Sequence, residues 1–473
     1  MMERLSSGHA QLDEILGGGL PVHAINLIGG PPGTGKTMLA QQYLFHNATS
    51  DRPGLYLTTT SEPLDKVVRY GQQLSFFDAA KVGTAVIYES LAPVLAAQGL
   101  NGVAERAFQL VRDARPGIVV IDSFKAFAPY APTPLAYREF VAELAGRLSP
   151  LPISSFWVGE YGRDELLELP EAAVADAIVV LRSVATGVRT ARHLQILKLR
   201  GGDFLSGEHA YRLTPDGLHV FPRLADPVDV EETAADTTRL SLGVDGLDRI
   251  LGGGVFRGAT SLIIGPSGAG KTMLSLQFLE AASRRGRRGV FASLQENQLQ
   301  LGRVLAAGVG SDRFDGLVEV HRRSPVDIYI DEWVWEVLER VTATGAEVLV
   351  IDSLSDLRVA SPDEKRFEEY VYSLTQRLAQ LGITTFMTLE SPLSLGFADL
   401  PSTAVSHLAD NIILLGYQVD GATVRRGIHI LKSRGSDHDA DVREFRIGGD
   451  GMAVLDPLPV PSAVVGSRGA GRR

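Results

Sequence analysis

The sequence predicts an α/β protein built of two tandem domains, each a mostly parallel central sheet with helices on both faces. Three observations carry that reading. "RLSSGHAQLDEILGGG" at residues 4–19 returns 235 residues later as "RLSLGVDGLDRILGGG" at 239–254, with 11 of 16 positions identical, so one unit is written twice. Within each copy short, continuously apolar runs alternate with helical patterns, which is what strands buried on both faces of a sheet look like. In both copies, finally, a glycine-rich loop joins an apolar strand to a helix.

The chain of 473 residues is long enough for two domains that each bury a core. "PRLADPVDVEETAADTTRL", Pro222 to Leu240, is rich in proline, acid and threonine and reads as the linker. The expected domains are therefore 3–235 and 236–458. A glycine-rich, basic end at 459–473, closing on "GSRGAGRR", is expected to be a disordered tail, with a binding arm as the alternative.

Taken in order, "INLIGG", "GLYLTTT", "TAVIYES", "GIVVIDS", "ISSFWVGE" and "AIVVLRS" read as strands of the first copy. "KTMLAQQYLFHNA" and "AYREFVAELAGRL" read as helices between them. The last part of each copy, from "ADAIVVL" to "YRLTPDGLHV" in the first, has hairpin spacing and is expected to add antiparallel strands.

Composition narrows the chemistry. The protein has no cysteine, which excludes disulfides, thiolate zinc sites and cysteine nucleophiles. A net charge of -10 argues against nucleic acid as the main partner. No apolar run has the roughly 18 to 20 residues of a transmembrane helix. "MMERLSSGHA" lacks the pattern of a signal peptide, so a cytoplasmic location without membrane partners is expected.

"GGPPGTGKT" at 29–37 and "IGPSGAGKT" at 264–272 both fit G-x-x-x-x-G-K-[ST]. Such a loop turns backbone N–H groups inward around a phosphate and sets the positive end of the next helix against it. Nucleotide is therefore expected at Gly30, Pro31, Pro32, Gly33, Thr34, Gly35, Lys36 and Thr37, and again at Gly265, Pro266, Ser267, Gly268, Ala269, Gly270, Lys271 and Thr272. Lys36 and Lys271 would neutralise the terminal phosphates. Thr37 and Thr272 would each give a hydroxyl to Mg²⁺, and the acid completing each metal shell would be Asp122 or Asp352, ending the apolar runs "GIVVIDS" and "EVLVIDS".

Together "LDEILGGGLP", "GGPPGTGKT", "VIDS" and "LKLRGG", answered by "LDRILGGGVF", "IGPSGAGKT", "VIDS" and "LKSRGSDHD", resemble the two-domain KaiC-type proteins of the RecA-like ATPase superfamily over nearly the whole chain. The resemblance implies a homo-oligomeric ring, typically a hexamer, with Mg-ATP between subunits. It also implies that the cations of the K-x-R-G strand reach the neighbour's phosphates. Those are Lys198 and Arg200 in the first copy, Lys432 and Arg434 in the second.

In KaiC-like domains two adjacent glutamates at the end of the strand after the phosphate-loop helix activate water. Those positions hold Thr60 and Ser61 in the first copy and Gln295 and Glu296 in the second. Glu296 is the expected catalytic base, with Gln295 orienting water. The first copy has only hydroxyls there, poor bases at neutral pH, unless Glu62 takes the role from one residue on. Hydrolysis is therefore expected mainly in the second domain, with ATP in the first mainly structural and the output signalling or regulatory.

The clock-type members also phosphorylate themselves on adjacent Ser and Thr. Ser406 stands at the first of these positions and His407 replaces the second, so a serine/threonine autokinase is one alternative. A non-hydrolytic ATP-bound scaffold and a recombinase-like ATPase are the others.

Overall fold

The structure, a computed structural model, describes residues 3–60, 63–186, 189–224, 236–294, 316–325, 328–361, 363–391, 407–420, 423–449 and 451–458. Ser61, Glu62, Gln295, Glu296, Ser406 and the 459–473 tail lie outside them. The chain divides between Arg223 and Leu224 into two compact units.

Each unit carries a nine-stranded sheet. In the first the order is Gly217–Phe221, Glu208–Thr214, Arg189–Leu199, Ala177–Thr186, Ile25–Gly29, Ser154–Gly159, Ile118–Asp122, Gly54–Thr58 and Val86–Ser90. From Ala177–Thr186 onward all strands are parallel, whereas the first three named are antiparallel additions. The second sheet repeats this as Gly451–Pro457, Arg443–Gly448, Thr423–Ser433, Asn411–Asp420, Thr260–Gly265, Thr384–Glu390, Val348–Asp352, Gly289–Ser293 and Val318–Arg322. Its parallel and antiparallel pairings fall in the same places. The architecture is the expected α/β class in both copies.

Why the strands are largely apolar follows from where alternate side chains go. Leu55, Leu57, Val119 and Ile121 enter one core of the first unit, and Tyr56 and Val120 enter the core on the opposite face. In the second unit Leu349 and Ile351 part from Val348 and Val350 in the same way. A sheet with helices on both sides has no wet face, so both registers of the pleat are mostly apolar, and a polar residue inside a strand needs a hydrogen-bond partner, as Asn26 finds in the Ala24 and Ser155 carbonyls.

The repeated opening motif has a physical basis. Asp13 accepts hydrogen bonds from the Ser6 hydroxyl (2.6 Å) and the Ser7 N–H (2.8 Å), and Asp248 does the same for Ser241 (2.6 Å) and Leu242 (2.7 Å). A carboxylate with two donors pins the turn that leads into each first helix. The end of each phosphate loop is equally constrained. Gly35 and Gly270 adopt φ 88° and 105°, and a Cβ there would lie 2.5 Å from Leu213 and 2.8 Å from Ile447. Only glycine meets both conditions.

A glutamine then ties each following helix, Lys36–Asn47 or Lys271–Ser283, to the last hairpin of its sheet. Gln42 accepts from the Leu218 N–H at 3.0 Å, and Gln277 from the Met452 N–H at 2.8 Å. The loop is thereby held from beneath by strands far away in sequence. Helices not singled out by sequence patterning, Ala92–Ala114 and Ile330–Thr344, cover the sheets further along.

Candidate nucleotide sites at two phosphate loops

In the first unit residues 30–35 form a loop between Ile25–Gly29 and Lys36–Asn47. The Lys36 ammonium donates to the Pro31 carbonyl at 2.8 Å, so it lies across the loop mouth. Lys271 donates to the Gly265 and Pro266 carbonyls, each at 2.9 Å. Burial lowers the Lys271 pKa, against the opposing pull of Glu390 and Asp352. An anion delivered to either loop would exchange weak carbonyl partners for full charge.

Beneath each lysine the structure brings together the threonine and the aspartate that the motifs single out. Thr37 Oγ1 donates to Asp122 Oδ2 at 2.7 Å, across 85 residues of chain, and Thr272 Oγ1 to Asp352 Oδ2 at 2.7 Å. The further support differs between units. Tyr56 donates to Asp122 Oδ2 at 2.7 Å from the strand on one side, whereas Thr388 donates to Asp352 Oδ1 from the strand on the other. Where the first unit has Tyr56 the second has Phe291, and where the second has Thr388 the first has Val158. Neither support carries a motif that sequence reading could find.

Asp352 is only 4% exposed, and burial raises its pKa against the hydrogen bonds of Thr272 and Thr388 and the charge of Lys271. A buried carboxylate beside a threonine hydroxyl is a donor set that suits a hard divalent cation. A cavity of about 790 Å³ opens over the first loop, within the range of small-molecule sites. Gly33, Lys36, Thr37, Asp122, Lys125 and Glu160 are among the residues lining it.

Of the positions expected to activate water only Thr60 is described; it lies two residues beyond Thr58, which pairs with Asp122. Thr60 is exposed, while the preceding Thr59 is buried and hydrogen-bonded to the Ser123 carbonyl.

The K-x-R cations stand apart from the loop of their own unit. Lys198 pairs in register with Ile178, and the Arg200 N–H reaches the Asp176 carbonyl, at the start of the strand whose Val180 pairs with Gly29 beside the loop. Four residues of strand, roughly 13 Å at about 3.3 Å each, separate the two ends. The Lys198 ammonium rests on the Ala172 carbonyl at 3.0 Å and Arg200 on Asp176 at 3.2 Å. Lys432 rests on the Ala409 carbonyl at 2.6 Å and Arg434 on the His407 carbonyl at 3.2 Å. Burial and the adjacent arginine lower the pKa of both lysines.

The family description for KaiC ATPases matches residues 5–225 and again 240–458. The chain belongs to the KaiC ATPase family. Relatives in that family include the circadian clock oscillator protein KaiC of Picosynechococcus sp., 32% identical over 462 residues that cover 94% of this chain and 88% of that protein. The circadian clock oscillator protein KaiC 1 of Synechocystis sp. is 31% identical, covering 94% of this chain and 87% of that protein. Membership in the KaiC family makes this a nucleotide-binding ATPase with two phosphate-loop domains. Among the described residues no helix is long and apolar enough to cross a membrane.

Proposed function

We propose that this KaiC-family protein hydrolyses Mg-ATP at the subunit interfaces of a homo-oligomeric ring, mainly in its second unit, and uses ATP in the first mainly to hold the ring together. The observation that carries the reading is the Thr–Asp pair under the loop lysine in both units. Thr37 with Asp122, and Thr272 with Asp352, would hold Mg²⁺. Bound there, the ion would draw charge from the β- and γ-phosphates and favour in-line displacement.

The chain's own groups supply the rest. The loop lysines neutralise the terminal phosphates, and the backbone N–H groups of the loops orient them. Lys198 and Arg200, or Lys432 and Arg434, stand at the end of their strand away from the loop of their own unit, and in this reading they serve the site of an adjacent subunit. A cation delivered in this way stabilises charge building on the transferred phosphoryl group and couples hydrolysis to assembly. In the second unit Glu296 takes the proton as water oxygen bonds to the γ-phosphorus and the bond to ADP breaks, with Gln295 orienting the water. Thr60 offers no comparable base in the first.

Phosphate release by the purified full chain tests this. Lys271→Ala and Glu296→Gln should each remove most turnover, while Lys36→Ala should mainly lower oligomer mass in native mass spectrometry with Mg-ATP. Turnover indifferent to Lys271→Ala and Glu296→Gln would overturn the assignment to the second unit. A wild type that binds ATP without releasing phosphate would leave a scaffold.

A further inference from the structure

The cavity over the first loop contains an acid outside every motif considered so far. Ser154–Gly159 is the strand that separates the phosphate-loop strand from the Asp122 strand, and Gly159 pairs with Gly29. Glu160, the next residue, therefore leaves the sheet between the loop and the metal-shell aspartate. Asp122 and Glu160 are the two carboxylates that line the cavity among the described residues.

The second unit repeats the placement. Glu390 pairs with Gly265, the loop glycine equivalent to Gly30, and follows Glu160 by 230 residues, the interval between Asp122 and Asp352. Its N–H is anchored to the Ser355 hydroxyl at 2.9 Å, and its charge acts on the Lys271 ammonium. An acid kept at one register in two units that have diverged elsewhere, facing the phosphate end of each loop, is placed for chemistry on the terminal phosphate.

We propose that Glu160 is the general base of the first nucleotide site, and that Glu390 occupies the corresponding position as a second acid in the other. As the oxygen of an attacking water bonds to the γ-phosphorus and the bond from phosphorus to the ADP oxygen breaks, the water proton passes to the Glu160 carboxylate and then to solvent. The inference rests on the reading of these loops as ATP-hydrolysing sites and deepens it. Slow turnover in the first unit then depends on Glu160, where Thr60 offers only a hydroxyl.

The test uses the full chain with Lys271→Ala, so that the remaining phosphate release belongs to the first site. Adding Glu160→Gln should lower that remainder by on the order of 10²-fold or more, the usual contribution of a general base. Binding of a fluorescent ATP analogue should stay unchanged, and adding Glu62→Gln in its place should have little effect. The proposal is overturned if the remainder is indifferent to Glu160→Gln, or if Glu62→Gln removes it. It is likewise overturned if Lys271→Ala releases no more phosphate than Lys36→Ala combined with Lys271→Ala. A wild type without turnover would instead overturn the underlying ATPase reading.

Discussion

The two units keep the same loop, the same Thr–Asp pair and the same glutamine brace, yet they support their aspartates from opposite sides. In the first, Tyr56 reaches Asp122 from the outer neighbouring strand; in the second, Thr388 reaches Asp352 from the inner one. A second difference lies behind the loop helix. His9, His46 and His219 line a cavity of about 410 Å³ in the first unit, where the second has Val244, Ala281 and Ala453. The phosphate-binding geometry is thus fixed by backbone and glycine, while the groups that tune it have drifted independently. Duplication gave two sites with one frame and separate chemistry.

That comparison is open to direct attack, the largest effect first. Arg434→Ala should lower the second unit's share of phosphate release by about 10³-fold, as loss of an arginine finger does, leaving only the turnover of the first unit. Mixing Arg434→Ala with Lys271→Ala subunits should restore part of the activity, because an interface between an intact loop and an intact arginine is whole again. Failure of the mixture to recover would break the claim that the cations act between subunits.

Next in size is the contrast between loop lysines. Lys271→Ala should cost on the order of 10²-fold in turnover, and Lys36→Ala less than tenfold per assembled ring. Equal losses would mean that the two units share hydrolysis evenly.

A smaller effect isolates the aspartate supports. Tyr56→Phe removes one hydrogen bond to a charged group and should destabilise the first unit by about 1.5–3 kcal/mol in urea unfolding. Adding Val158→Thr, the arrangement of the second unit, should recover part of that loss. No recovery would show that the two supports are not interchangeable.

The histidines give the smallest and most specific test. Burial, reinforced by the positive charge of His219, lowers the His9 pKa from 6.5 to about 4, with Asp13 opposing. Between those values the unfolded chain binds a proton that the folded chain does not, so stability falls as the pH drops from about 6.5 toward 4. The Tm loss between pH 7 and pH 5 should shrink in His9→Val, which carries the residue of the second unit.

Much of this frame is legible in the sequence because motif chemistry names residues whose partners are obligatory. Thr37 and Asp122 could be paired across the chain from the needs of a single cation, without knowing any register. The K-x-R cations could be placed on a strand but not at a particular end of the sheet, since that depends on which end of Ala177–Thr186 they pair with. Tyr56, Thr388 and Glu160 escaped notice for a related reason. Tyr56 and Thr388 act on a neighbouring strand and Glu160 ends the strand between the loop and Asp122, and which residues meet in this way is settled by sheet order. The three histidines lie in segments far apart in the chain, brought together only when the last hairpin folds back on the loop helix.

The position of the K-x-R pairs at the end of the strand away from their own loop has a consequence for inheritance. If every site is assembled from two chains, a copy defective in both its loop and its cations spoils its own site and its neighbour's. In a cell carrying normal and defective genes together, activity would then fall faster than the share of defective protein. Such variants would behave as dominant rather than recessive.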